Sequence, residues 1–143
     1  MNLNTGRNSV CKIMLLATAL FLSCAVTAKS EYRILHHFTG GVNDGSTPEG
    51  SSLIKFDSVL YGMTKLGGEY NNGTVFKINT DSTGFALLHT FVSASSGIKP
   101  YGGLILSDSI LYGMVSSENT SYAGKLFRLN TDGSDYQIGR AHV

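Results

Sequence analysis

The adjacent pair His36-His37 is the most metal-like arrangement in this chain. Zinc takes several ligands in a roughly tetrahedral array, and neighbours on a strand point to opposite faces. The pair therefore cannot grip one ion from a regular strand. His36 also recurs: Leu35-His36-His37-Phe38 returns as Leu88-His89-Thr90-Phe91, which is how a structural position behaves. Asn43-Asp44-Gly45 and Asp132-Gly133-Ser134-Asp135 are rich in oxygen, but neither has the spacing of a calcium loop. Turn chemistry accounts for both. Asp57 and Asp108 are a repeated carboxylate, whereas glycoside hydrolysis needs two acids facing one cleft. Each of these sits in its own tight turn. No nucleophile elbow, phosphate loop, His-Glu-x-x-His or cysteine pair is present. No catalytic residue, metal site or cofactor is expected.

The elements that position these residues come from a repeat. Leu53-Ile54-Lys55-Phe56-Asp57-Ser58-Val59-Leu60-Tyr61-Gly62-Met63 returns 51 residues later as Leu104-Ile105-Leu106-Ser107-Asp108-Ser109-Ile110-Leu111-Tyr112-Gly113-Met114. Over the 33 pairs that align residues 53–85 with 104–136, 13 are identical, where ordinary residue usage gives roughly two. A fixed period of this size signals equal supersecondary units that bury a face against one another.

One unit reads as four strands: 53–56, 59–63, 74–79 and 85–91. Asp57-Ser58 joins the first two, and residues 80–84 join the last two. Val75, Lys77 and Asn79 alternate with Phe76 and Ile78, the two-residue period of a strand. Tyr61 and Tyr112 read as packing residues, and Gly62 and Gly113 suit a close approach of neighbouring groups. The expectation is an all-β chain of four-stranded antiparallel β-propeller blades, with about two blades present and the propeller incomplete. A parallel β-helix or a β-sandwich is the alternative. Residues 29–38 are expected to be an outer strand of a preceding or closing blade, 39–91 a complete blade, and 92–136 a second, truncated one.

These motifs resemble the bacterial tandem repeats nicknamed GloVer, found in propeller-like, choice-of-anchor repeat proteins. The family pattern runs Pro-x-Gly-Gly-Leu-Ile, Leu-Tyr-Gly-x-Thr, Gly-Gly and Gly-Thr-Val-Phe. This chain has Leu60-Tyr61-Gly62-Met63-Thr64, Gly67-Gly68, Gly73-Thr74-Val75-Phe76 and Pro100-Tyr101-Gly102-Gly103-Leu104-Ile105. The second unit departs from it with Val115, Glu118-Asn119 and Lys125-Leu126. The resemblance covers about residues 32–136. It implies a secreted or surface protein with varied C-terminal anchors and no established enzymatic activity.

Loop length supplies the functional asymmetry. In an up-down blade the first and third connections share one end, and here both are short. The second connection and the one between blades share the other end, and here both are long (residues 64–73 and 39–52). Tyr70, Asn71, Asn72, Tyr101 and Tyr122 fall on these long loops and are the candidate ligand-binding residues. A tyrosine offers stacking area with a hydroxyl, and an asparagine amide both donates and accepts, which suits a glycan or a peptide.

The ends bear on location. Arg7 and Lys12, the apolar run 13–22 and small residues through Ala28 have the order of a secretory signal, with cleavage before Lys29. The run is too short to span a bilayer. A second reading takes Phe21-Leu22-Ser23-Cys24 as a lipoprotein box with Cys24 acylated, although Phe departs from the usual first residue. Cleavage before Lys29 also removes Cys11 and Cys24, so the mature chain has no disulfide. Gln137-Ile138-Gly139-Arg140-Ala141-His142-Val143 breaks the repeat. It is what one frame of a common sequencing adapter encodes before a stop, so residues 137–143 read as a non-native tail on the start of a longer gene. Without Arg7, Lys12 and Arg140, the chain has 8 basic and 10 acidic residues, and the net charge moves from +1 to −2. No basic patch favours nucleic acid. The expected protein is a secreted, non-catalytic binding module whose remaining blades follow in the same gene. The alternatives are the N-terminal part of a polysaccharide-degrading propeller enzyme, or an envelope spacer.

Overall fold

Short apolar runs bounded by Gly and Asp turns fold as strands, and each finds an antiparallel partner. The computed structural model describes residues 31–93, 97–116 and 124–139, which carry eleven strands and no helix. The first seven are β1 Gly45–Ser46, β2 Ile54–Phe56, β3 Val59–Thr64, β4 Leu66–Gly67, β5 Thr74–Asn79, β6 Ala86–Thr90 and β7 Ile98–Pro100. The other four are β8 Ile105–Ser107, β9 Ile110–Ser116, β10 Lys125–Asn130 and β11 Gln137–Gly139. Residues 34–143 hold all of them in one unit. The meander β2-β3-β5-β6 is one four-stranded sheet. The second sheet runs β8-β9-β10-β11, with β7 pairing the far end of the β9 edge that β8 uses. Neither sheet closes on itself.

The second meander repeats the first at the 51-residue spacing: β2, β3, β5 and β6 begin that far before β8, β9, β10 and β11. The four strands expected in the first unit lie within one residue of the observed bounds. Two segments behave otherwise. Residues 31–39 pair with no strand among the described residues, and His36 and Phe38 dock by their rings instead. Within the segment expected to break the repeat, Gln137–Gly139 takes the fourth-strand place. Ile138 sits opposite Phe127 as Leu87 sits opposite Phe76. Residues 1–30, including the expected signal and Cys24, and residues 140–143 lie outside the described residues.

The core lies between the two sheets. Tyr61, Met63 and Val75 of the first pack with Leu104, Leu111, Val115, Phe127 and Leu129 of the second, around Phe91. Each large apolar side chain so buried contributes about 1.5–3 kcal/mol, so this seam is a main source of stability. Two glycines make room for rings, Gly113 on this seam and Gly62 on the opposite face of the first sheet, where Phe76 lies. A Cβ on Gly62 would lie 2.6 Å from Phe76 Cζ, and one on Gly113 would lie 2.5 Å from Phe127 Cζ. The phenylalanine rings occupy the space a side chain would need.

Candidate functional site

The three long connections meet at one end of the sheets and hydrogen-bond to one another. Lys65 N donates to Thr47 O at 3.0 Å, Gly68 N to Asp44 O at 2.8 Å, and Lys99 N to Asn72 O at 2.7 Å. β1 pairs with β4 across the same end, and Lys65 Nζ reaches Glu49 at 3.3 Å. Gly73 lets the loops close. Its φ is +101°, and an added Cβ would sit 2.5 Å from both Pro100 Cδ and Thr64 O. Below this, Thr64 Oγ1 donates to Leu66 O, and Thr64 and Thr74 share a buried hydroxyl bond of 2.8 Å. With its proton committed to Leu66, Thr64 accepts from Thr74.

Asp44 ties down the first loop. Its carboxylate accepts from His36 Nε2 (3.0 Å), Thr39 N (2.8 Å), Thr39 Oγ1 (2.9 Å) and Gly45 N (2.7 Å). Burial pushes the Asp44 carboxyl up. The Thr39 amide, His36, the Thr39 hydroxyl and the Gly45 amide outweigh it and hold the group below the usual carboxylate range. Asp132, the other oxygen-rich turn, is similarly engaged: its Oδ1 accepts from Ser134 N at 2.8 Å and Ser134 Oγ at 2.6 Å. Among the described residues, no three His, Cys, Asp or Glu side chains group as metal ligands.

The candidate residues divide in three. Tyr70 and Tyr101 are 50% and 65% exposed on this end, and the Tyr101 ring lies over Gly50. Asn71 and Asn72 have internal work. Asn71 sits at φ +53° and accepts from Gly67 N through Oδ1 at 2.9 Å. Asn72 Nδ2 donates to Val92 O at 3.0 Å. Tyr122 lies outside the described residues. At the opposite end, Asp57 and Asp108 occupy the first hairpin turns at φ +52° and +54°, a conformation Asp tolerates.

The sequence pattern of the Gloeobacter/Verrucomicrobia repeat matches residues 22–142. The chain belongs to that repeat family. No curated protein and no solved structure matches it. No helix among the described residues is long and apolar enough to cross a membrane.

Between successive repeats lies a feature that strand periodicity does not reveal, a quartet of rings. His36 stacks on Phe85 at 3.7 Å while Phe38 meets Phe76 edge-on at 5.1 Å. One repeat later, His89 stacks on Tyr136 at 3.7 Å and Phe91 meets Phe127 edge-on at 5.5 Å. The recurrence of His36 as His89 is thus the signature of a joint. The two histidines differ in one respect: His36 has Asp44, whereas His89 Nε2 is buried without a hydrogen-bond partner.

Proposed function

We propose that this chain is a secreted or cell-surface protein whose repeats are β-propeller-type blades, and that its long-loop end binds a polar partner, a glycan or a peptide, without catalysis. One observation carries the reading: three long loops are locked to one another by main-chain hydrogen bonds, yet present Tyr70 and Tyr101 to solvent. A tyrosine on a rigid support offers a large contact area and loses little conformational freedom on binding. The blade assignment is supported by two four-stranded meanders packed face to face at a constant spacing.

A purely architectural role is favoured by a different observation, the use of Asn71 and Asn72 in holding the loops rather than in presenting amides. Screening the chain on glycan and peptide arrays separates the two. Any hit is then titrated with Tyr70→Ala, Tyr101→Ala and, from the opposite end, Asp57→Asn. The binding reading expects a loss of about 1 kcal/mol or more for each tyrosine, roughly fivefold in Kd, with Asp57→Asn unchanged. Equal losses at both ends, or no ligand for a well-folded chain, refute it and leave the spacer ahead.

A further inference from the structure

Asn72-Gly73 is the single Asn-Gly pair in the chain, and the repeat does not require it: the matching pair of the second unit is Ala123-Gly124. Asparagine is labile through its side-chain amide, and most so before glycine. Glycine has no Cβ to keep its main-chain nitrogen away from the asparagine carboxamide carbon, and its backbone reaches conformations closed to other residues. Here the fold demands the glycine. The loops close around it at φ +101°, and Pro100 and the Thr64 carbonyl fill the space a Cβ would take.

Four hydrogen bonds meet at this pair, and they come from all three long loops. Asn72 Nδ2 donates to Val92 O at 3.0 Å, and Lys99 N donates to Asn72 O at 2.7 Å. Gly73 N donates to Gly67 O at 3.2 Å, and Phe91 N donates to Gly73 O at 3.1 Å. Gly67 is held in turn, its N–H donating to Asn71 Oδ1 at 2.9 Å. The two groups that would react are thus both occupied: the Gly73 nitrogen keeps its proton on Gly67 O, and the Asn72 carboxamide is anchored to Val92. Phe91 carries the same node into the core between the sheets. Asn72 is half-buried and within reach of water.

We propose that Asn72 is a site of spontaneous deamidation which the interlocked loops hold in check, and that its conversion releases them. When the loop end opens, the Gly73 nitrogen gives up its proton and attacks Asn72 Cγ. A C–N bond forms, the side-chain nitrogen leaves with that proton as ammonia, and a five-membered succinimide remains. Water then opens one of its two carbonyls to give aspartate or isoaspartate, with no oxidant and no second protein. Aspartate sets a carboxylate against Val92 O, two acceptors with no proton between them. Isoaspartate routes the main chain through the side-chain carboxyl and lengthens it by one carbon, which takes the Lys99 and Phe91 amides out of register with their acceptors. Neither product reverts to asparagine. The release is independent of whether the loop end holds a ligand.

Peptide mapping by mass spectrometry reads the conversion as a gain of about one dalton, with isoaspartate and aspartate separated by retention. The parent chain and a synthetic peptide of residues 68–78 are incubated side by side in mildly alkaline buffer. The folded chain should convert at Asn72 about tenfold or more slowly than the peptide, following the opening equilibrium of the loops. Asn71→Gly tolerates the positive φ of that position and removes the acceptor that holds Gly67. It should raise the folded rate several-fold over the parent, each divided by the rate of its own peptide. Urea needs no variant: the parent's rate should climb to the peptide's as the chain unfolds. A folded rate equal to the peptide's, a rate that ignores both urea and Asn71→Gly, or no conversion in the unfolded chain overturns the inference. Release of the loops is read by amide hydrogen exchange. Asn72→Asp, and the isoaspartate fraction of aged parent protein, should exchange at Lys99 and Phe91 about tenfold or more faster than fresh parent. Unchanged exchange in both would show that conversion leaves the loops locked, and also overturns it.

Discussion

Acid should destabilise this protein through His89 well before its carboxylates titrate. The His89 ring stacks on Tyr136 at 3.7 Å, and its Nε2 has neither solvent nor a partner. Burial pushes its pKa down from 6.5 to about 4. The unfolded chain therefore binds a proton that the folded chain refuses, and stability falls as pH drops from 6.5 to about 4. Above 6.5 this contribution is flat. Full linkage over that window amounts to about 3 kcal/mol, with about 2 kcal/mol already lost at pH 5. These are upper bounds, because the ring keeps some exposure to screening solvent. Against a total stability on the order of 5–15 kcal/mol, such a loss is easily measured. The assay is urea unfolding at pH 7 and pH 5 of the parent and of His89→Phe, which keeps the stack on Tyr136 and removes the titrating group. The parent should lose about 1–2 kcal/mol more than the variant. Equal pH dependence in the two proteins would refute the reasoning.

Two further outcomes concern local geometry. Ser82 holds φ +75° with its Oγ buried and unpartnered, while the second repeat has Gly133 at that place. Ser82→Gly should therefore raise stability by about 1 kcal/mol, read from the urea midpoint. Gly62→Ala puts a methyl 2.6 Å from both Leu53 Cδ2 and Phe76 Cζ. It should cost about 1–3 kcal/mol and lower the melting temperature; a neutral effect would mean that the Phe76 ring shifts freely and its contacts with Phe38 and Phe85 are loosely packed.

Much of the fold was legible because a constant offset needs no tertiary information. The 51-residue spacing, the hairpin at Asp57-Ser58 and the strand at Thr74–Asn79 all follow from local pattern. The ring quartet was harder to see. The segment from His36 to Leu53 is two residues longer than that from His89 to Leu104, so one side of the joint falls out of phase with the other. Loop lengths alone gather the long loops at one end, but they do not reveal that Asn71 and Asn72 also bond within the loops. Sequence gives an amide's capacity to bond, not whether Gly67 or Val92 has already claimed it. The exposure of Met114 was invisible for a related reason: its counterpart Met63 is buried in the first repeat, and only the second sheet distinguishes them.

The two equivalent sheets stack in one register through His89, Phe91, Phe127 and Tyr136, and the segment before the first sheet docks on it through the same kind of quartet. Nuclear Overhauser contacts between aromatic protons test it most directly. Cross-peaks are expected from His89 to Tyr136 and from Phe91 to Phe127, matched by His36 to Phe85 and Phe38 to Phe76. A folded protein showing either pair of cross-peaks without the other, or neither, would contradict it.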